Sequence, residues 1–252
     1  MVAIRVGIGG WVFAPWRGSF YPADLPQSQE LAYASRHVTS IEINGTFYGA
    51  QKPASFQKWY EQTPADFVFS VKAPRFATRR RDLSEAGPTI DRFLAGGILE
   101  LREKLGPILW QFPSSRKFDE AGMSAFLHLL PQHIVGRRLW HAIEVRHESF
   151  ATPVFVELLR QHNVAAVIVD GEGYPPIHDL TADFVYARLR RTSDSEPAGY
   201  PAEALDAWAE YFRACSAAEG GPRDCFVYFI SGAKAKAPAA AQALLARLQN
   251  SV

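Results

Sequence analysis

The chain has 252 residues, 48% of them hydrophobic, and its 27 basic side chains nearly balance 26 acidic ones, for a net charge of +1. This composition predicts a globular protein with an ample core, and its near-neutral charge gives no support for nucleic-acid or membrane binding. No apolar run approaches the roughly 20 residues of a membrane span. The two cysteines, Cys215 and Cys225, fit no metal or redox motif, which predicts a reduced, cytoplasmic protein.

Eight apolar runs recur along the chain and are predicted to form strands. They are Ile4–Gly9, Thr39–Ile43, Phe67–Lys72, Pro107–Phe112, Trp140–Arg146, Ala165–Asp170, Phe184–Leu189 and Cys225–Ile230. Continuous apolar runs, unlike alternating ones, are typical of strands that are covered on both faces and are therefore parallel.

Helical patterns separate most of these strands, and several begin near a proline, as helices often do. They are Gln27–His37, Ala54–Gln62, Thr89–Leu105, Asp119–Leu130, Pro153–His162, Pro201–Ala218 and Pro238–Gln249. The alternation predicts an α/β fold, a TIM-like (β/α)8 barrel that spans residues 1–252 as one domain. A doubly wound open sheet is the alternative, but Gly7–Trp11 lacks the glycine spacing of a dinucleotide-binding turn.

One connection departs from this alternation. The segment Gly171–Asp183 contains two prolines and two glycines, so it predicts an irregular crossover between strands six and seven instead of a full helix. Another long connection, Pro74–Gly87, carries a run of three arginines at Arg79–Arg81.

Polar side chains follow or end most of the predicted strands. They are Glu42, Asn44, Lys72, Gln111, Glu144, Arg146, His147, Asp170, Arg188 and Arg190. Burying a charge is costly unless the charge is paired, so charges at one end of core strands need a shared reason. Because the carboxyl ends of the strands form the functional face of a (β/α)8 barrel, we expect a polar site there.

Six segments, in this order and with similar gaps, resemble the DUF72 family, whose members are also called YecE-like proteins. They are GIGGW (Gly7–Trp11), EINGTFYG (Glu42–Gly49), FVFSVKAPR (Phe67–Arg75), LWQFP (Leu109–Pro113), IEVRHESF (Ile143–Phe150) and VYARL (Val185–Leu189). The resemblance implies a TIM-barrel-like fold and supplies no established activity. The chain departs from the family pattern at Ile230 and Ser231, where two asparagines are usual, and at Arg190 and Arg191, where a His-Gly-like turn is common.

The strand-end residues predict an anion site. Lys72, Arg146 and Arg188 offer a point charge and two planar forks that suit phosphate or carboxylate groups. Glu42 and Glu144 are the candidate acid–base pair, because a semi-enclosed pocket can raise a carboxylate pKa towards neutrality. Lys72 is a third candidate catalytic residue, and as a Schiff-base lysine it would need a depressed pKa.

The working hypothesis is an enzyme, a lyase, isomerase or hydrolase, that uses carboxylate acid–base chemistry on a small phosphorylated or carboxylated, sugar-like metabolite. The predicted ligand-binding residues are Trp11, Asn44, Phe47, Tyr48, Gln111, Arg146, His147, Asp170 and Arg188. The aromatic members of this set could stack on a sugar or base ring.

Two alternatives stay open: a nucleic-acid-binding or nucleic-acid-processing protein that uses Arg75–Arg81 beside the same pocket, and a non-catalytic binding barrel whose charges form a structural network. We predict no cofactor and no metal ligand set. A separate hypothesis is a Mg²⁺ or Mn²⁺ site built from Glu42, Glu144, His147 and Asp170, whereas zinc motifs are absent from the sequence.

Overall fold

The computed structural model describes residues 3–217 and 221–249. Within them, eight parallel strands close into a barrel in which neighbours along the chain are neighbours in the sheet, and the last strand pairs with the first. The strands are β1 (Ile4–Gly9), β2 (Ser40–Ile43), β3 (Val68–Lys72), β4 (Leu105–Gln111), β5 (His141–Glu144), β6 (Ala165–Asp170), β7 (Phe184–Leu189) and β8 (Asp224–Phe229). The predicted TIM-like barrel is confirmed.

Helices surround the barrel. They are α1 (Glu30–Ala34), α2 (Gly45–Tyr48), α3 (Pro53–Gln62), α4 (Arg75–Thr78), α5 (Gly87–Leu94), α6 (Glu120–His128), α7 (Pro153–Gln161), α8 (Ala202–Ser216) and α9 (Ala237–Gln249). Short 3-10 turns lie at Ala14–Trp16, Gln27–Gln29, Leu83–Ala86, Ile98–Lys104, Glu148–Phe150 and Lys234–Lys236. A small antiparallel ladder pairs His133–Ile134 with Arg137–Arg138.

Two predicted helices were too long. The first, Gln27–His37, is a 3-10 turn followed by the short α1. The second, Thr89–Leu105, breaks after α5 because Gly97 adopts a left-handed φ of 105° and packs against Pro53, where a Cβ would lie 2.7 Å from the proline Cα. Its last predicted residue, Leu105, begins β4 instead. The final residue of the helix predicted at Pro201–Ala218 lies outside the described residues.

The irregular crossover between β6 and β7 is confirmed, since residues 171–183 contain no helix. Within it, Thr181 ties the segment to the barrel: its hydroxyl donates to the Val164 carbonyl at 2.7 Å and accepts from the Ala166 amide at 2.8 Å. A helix is therefore not needed to fix the path of the chain from one strand to the next.

The outward faces of the strands are apolar and pack against the helices. This main core includes Val6, Ile41, Val71, Ile108, Ile143, Ile168 and Val227, all buried. A second apolar cluster forms around Phe184, Phe226 and Trp140, near the amino ends of the strands, where the Trp140 and Phe184 rings stack at 5.3 Å. Burial of such aromatic groups excludes water from that end of the barrel.

The barrel interior becomes polar towards the carboxyl ends of the strands. Two hydroxyl pairs, Ser40 with Tyr228 and Ser70 with Tyr186, each join at 2.7 Å across the buried interior. Glu42 lies two residues after Ser40 in β2 and therefore on the same, inward face. The layer of side chains above the hydroxyl pairs is thus charged. The polar site therefore rests on a packed and hydrogen-bonded floor.

Candidate functional site

Arg188 lies at the centre of the charged layer, between two carboxylates. Its Nη2 donates to Glu42 Oε1 at 3.0 Å, and its Nη1 donates to Glu144 Oε2. The other oxygen of Glu42 accepts a 2.7 Å hydrogen bond from the Tyr186 hydroxyl. All of these charges are essentially fully buried, and such a group is stable only when its polar atoms are paired in this way.

Glu144 has a second set of partners. Its Oε1 accepts from Gln111 Nε2 at 2.7 Å and from Arg146 Nε at 3.0 Å. Burial alone raises the pKa of this carboxyl, but Arg188 and Arg146 together outweigh burial and lower the pKa to about 2. The expectation of a raised pKa is therefore wrong for Glu144, which is an ionised counter-ion at neutral pH.

Lys72 is buried beside this network without joining it. The residue is 6% exposed, its Nζ lies 3.9 Å from the centroid of the Phe47 ring, and no residue of the described chain forms a hydrogen bond or ion pair with this amine. Burial lowers the pKa of Lys72 to about 8, helped by Arg188 and opposed by Glu42 and Glu144.

A cavity of about 460 Å³ opens above the charged layer. The cationic residues that line it are Lys72, Arg75, Arg79, Arg146, Arg188, Arg190 and Lys234, and its lining includes no aspartate or glutamate among the described residues. The Nε atoms of Arg75 and Arg188 are buried and have no hydrogen-bond partner in the described part of the protein. Unpaired buried donors of this kind are rare and need an acceptor.

The walls of the cavity combine amides and aromatic rings. Asn44, Gln111, Phe47 and Tyr48 come from the ends of β2 and β4 and from α2, which follows β2 directly. Tyr48 is mainly exposed, whereas Phe47 is buried against Lys72. Further lining residues are Gly9, Trp16, Phe229, Ile230, Ser231 and Ala237.

The irregular crossover contributes Tyr174 beside the mouth of the cavity. Its ring lies 5.6 Å from the guanidinium carbon of Arg146 and 5.1 Å from that of Arg190. Cation–π contacts of this kind orient a guanidinium and restrict its rotamers. The crossover therefore holds two of the cationic side chains in place.

The structure brings most of the predicted site residues together. Asn44, Phe47, Tyr48, Lys72, Gln111, Arg146 and Arg188 line the cavity, and Glu42 and Glu144 lie behind Arg188. The predicted catalytic and binding roles of these residues stay predictions.

Three predicted ligand-binding residues lie outside the cavity lining. Trp11 packs its ring edge against Trp59 at 5.1 Å, on the outside of the barrel. His147 Nδ1 accepts from the Ser149 amide at 3.1 Å and begins a 3-10 turn. Asp170 follows the outward-facing Ile168 by two residues and accepts from the Tyr200 hydroxyl at 3.1 Å, so strand alternation directs it away from the cavity.

Four cationic residues of the cavity were not among the predicted site residues. Arg190 was predicted as a strand-end polar residue but not as a ligand-binding one, although it follows Arg188 by two residues and so shares its face of the chain. Arg75 and Arg79 are four residues apart around the short α4, which places them on one side of that helix. Lys234 lies in the turn before α9, and the sequence carries no signal for it.

The proposed metal ligands are not gathered. Across residues 3–217 and 221–249, no group of three or more His, Cys, Asp or Glu side chains is arranged to hold a metal ion. Glu42 and Glu144 are engaged by Arg188, while Asp170 and His147 lie elsewhere. Among the described helices, none has both the length and the apolar character that a membrane crossing requires.

These features define a class of protein: a parallel (β/α)8 barrel with a cationic cavity at the carboxyl ends of its strands. The model of a family described as protein of unknown function DUF72 matches residues 5–252. The chain belongs to the DUF72 family.

Two curated relatives resemble part of the chain. The UPF0759 protein YecE of Escherichia coli (strain K12) is 27% identical over 180 residues, which cover 69% of this chain and 61% of YecE. The UPF0759 protein YunF of Bacillus subtilis (strain 168) is 28% identical over 159 residues, which cover 61% of this chain and 54% of YunF. The aligned part of the chain thus spans less than two thirds of each relative.

Solved structures of the family share the fold. A DUF72 family protein from Thermotoga maritima is 27% identical, with a TM-score of 0.79 over 98% of this chain and 100% of its own. A DUF72 family protein from Enterococcus faecalis is 18% identical, with a TM-score of 0.75 over 99% of this chain and 96% of its own.

Proposed function

We propose that the protein is an enzyme that binds a small anionic metabolite, phosphorylated or carboxylated and sugar-like, in the cavity at the carboxyl ends of the barrel strands. The observation that carries this proposal is the lining of the cavity, which combines seven cationic residues with no aspartate or glutamate of the described chain. Like charges repel at short range, so an arrangement of this kind is most stable when an anion occupies it.

The charge excess is local. Seven cations stand over two buried glutamates, which leaves five formal positive charges at one end of a chain whose net charge is only +1. Arginine forks bind phosphate and carboxylate oxygens in pairs, and Arg146, which Glu144 fixes at Nε and which lines the cavity, suits such binding.

The remaining walls suit a sugar-like body attached to the anionic group. A cavity of about 460 Å³ is within the usual range for small-molecule sites. Asn44 and Gln111 carry amide groups suited to bonding ligand hydroxyls, and the exposed Tyr48 provides aromatic surface.

The chemistry assigns different roles to the acidic and basic groups. Glu42 and Glu144 position Arg188 and neutralise part of its charge, because both are buried behind it. Lys72 is the group suited to exchange protons near neutral pH, because its pKa is lowered to about 8 and it lines the cavity.

Thermal-shift and calorimetric titrations with inorganic phosphate, sugar phosphates and small dicarboxylates test this proposal. We expect stabilisation of the parent, and an affinity about 10- to 100-fold lower in Arg190→Ala, since a hydrogen bond to a charged group contributes about 1.5–3 kcal/mol. Arg190 is the better choice than Arg188, whose removal would take away the cation that two buried carboxylates share.

Arg36→Ala is the matched control. Arg36 is exposed and precedes β2, at the opposite end of the barrel, so its loss removes the same charge without touching the cavity. Equal affinities in Arg190→Ala and Arg36→Ala, or no stabilisation of the parent by any of these anions, would contradict the proposal.

A further inference from the structure

We propose that the Lys72 amine forms an imine with the carbonyl carbon of the bound metabolite, so that the substrate class is an anionic aldehyde or ketone. The inference rests on the proposed function, because the cationic rim is what holds the anionic group while the amine reacts. It adds a covalent step and a requirement for a carbonyl group.

The first argument is a comparison of two buried lysines in the same chain. Lys104 is 4% exposed and donates to the Tyr60 carbonyl at 2.6 Å, the Thr63 carbonyl at 2.7 Å and Thr63 Oγ1 at 3.1 Å. Its three protons are all used, as a structural ammonium group requires. Lys72 is buried to a similar degree, yet its Nζ bonds to nothing in the described part of the protein.

The second argument is access. Lys104 does not line the cationic cavity, whereas Lys72 does, at the end of β3 and at its carboxyl face. The Phe47 ring, 3.9 Å from Nζ, covers one side of the amine without offering a lone pair. The amine therefore meets a ligand in the cavity without first having to break a hydrogen bond.

The surrounding charges support this role. Burial, together with Arg188 and Arg146, lowers the pKa of Lys72 to about 8 against the opposing effect of Glu42 and Glu144. A neutral fraction of the amine is thus present near physiological pH, and only the neutral amine carries the lone pair that attacks a carbonyl.

The step balances without an oxidant or a cofactor. The Nζ lone pair attacks the carbonyl carbon, an N–C bond forms, and the carbonyl π electrons move to oxygen, which takes up a proton. The proton on oxygen is the one that the attacking nitrogen gives up, which yields a carbinolamine. The carbinolamine hydroxyl takes up a second proton from solvent and leaves as water while the nitrogen lone pair forms the C=N bond, which leaves a protonated imine on Lys72. The imine withdraws electrons from the neighbouring carbon, and this effect suits isomerase or lyase chemistry.

Reductive trapping tests the inference. The full-length parent is incubated with glyceraldehyde 3-phosphate or with glyceraldehyde, reduced with sodium cyanoborohydride, and mapped by peptide mass spectrometry. We expect one stable adduct, on Lys72. The phosphorylated aldehyde should form it at a concentration at least about tenfold lower than glyceraldehyde requires, since each 1.4 kcal/mol of anion binding changes affinity tenfold. Lys72→Arg, which keeps a cation, should lose the adduct, and Lys58→Arg on the exposed face of α3 should keep it.

A parallel thermal-shift titration with inorganic phosphate separates the two proposals. If phosphate stabilises the parent but the adduct is absent, or lies on Lys234 or Lys58 instead of Lys72, the imine is ruled out and the anion site stands. If phosphate gives no stabilisation and both aldehydes react equally, the anionic substrate class fails as well. Circular dichroism of Lys72→Arg confirms that a lost adduct reflects lost chemistry and not unfolding.

Discussion

The contrast between Arg188 and Lys72 shows how differently two buried cations can be treated in one site. Arg188 is paired with two carboxylates, whereas the Lys72 amine lies over the Phe47 ring and has no carboxylate partner in the described chain. A fold does not need a largely buried lysine whose amine bonds to no described side chain, because an apolar side chain would fill the same space at a lower free-energy cost. The position of Lys72 is therefore best explained by its chemistry.

This cost predicts that Lys72→Met stabilises the protein in a pH-dependent way. The pKa of Lys72 is about 8 in the folded protein against 10.5 ordinarily, so between these values the unfolded chain binds more protons and stability rises with pH. The penalty is fully present below pH 8. We expect Lys72→Met to gain up to about 3 kcal/mol in the free energy of unfolding at pH 6, and the gain to vanish near pH 10.5.

Urea denaturation at a series of pH values, in buffers free of phosphate, measures this difference. Lys58→Met serves as the control, because Lys58 is exposed and should show no such dependence. If the gain in the free energy of unfolding of Lys72→Met stays constant from pH 6 to pH 10.5, the charge of Lys72 does not destabilise the folded protein.

Single residues also show which parts of the site the sequence could predict. Lys72, Arg146 and Arg188 were predicted because they lie at the ends of apolar strands, and parallel strands bring such ends together. The role of Glu144 was not predictable, since its low pKa depends on Arg188, which is 44 residues away and reaches it across the barrel interior.

At the scale of elements, strands were easier to predict than helices. The strands carry continuous apolar runs, and their observed bounds differ from the predicted ones by only a few residues. Helix ends depended on tertiary contacts, as at Gly97, whose left-handed conformation is favoured by close packing on Pro53. The crossover at residues 171–183 was predicted as irregular, but no sequence pattern placed Tyr174 between two arginines.

The crossover carries a prediction of its own, because Tyr174 contacts both Arg146 and Arg190. We expect Tyr174→Ala to lower the affinity for a sugar phosphate about 3- to 10-fold, since exposed cation–π contacts contribute about 0.5–1 kcal/mol each and the freed guanidinium groups lose orientation. Isothermal titration calorimetry measures the change. Tyr174→Phe keeps the ring and should bind as the parent does; an equal loss in both variants would assign the effect to the hydroxyl.

At the scale of the whole molecule, the charge is nearly balanced but unevenly distributed. The net charge of +1 gives the protein no strong overall field, while the cavity concentrates cations at one end of the barrel. Next to it, a second surface depression is lined by Arg79, Arg81, Pro113, Ser114, Ser115, Arg116 and Lys117 and shares Arg79 with the cavity. This depression is where the nucleic-acid alternative would act.

Part of that basic surface is already engaged within the chain. The Arg116 guanidinium donates to the carbonyl oxygens of Arg80 and Arg81, and Arg80 pairs with Glu85 at 3.6 Å. We therefore expect the double variant Arg81→Ala/Lys117→Ala to bind a sugar phosphate within about twofold of the parent, because exposed charges beyond about 8–10 Å are screened at physiological salt. Calorimetry at 50 and 150 mM salt measures this, beside a single-stranded oligonucleotide. Two results together would favour the nucleic-acid alternative over a small-molecule site. The parent would bind no sugar phosphate, and its oligonucleotide binding would fall steeply with salt and disappear in the double variant.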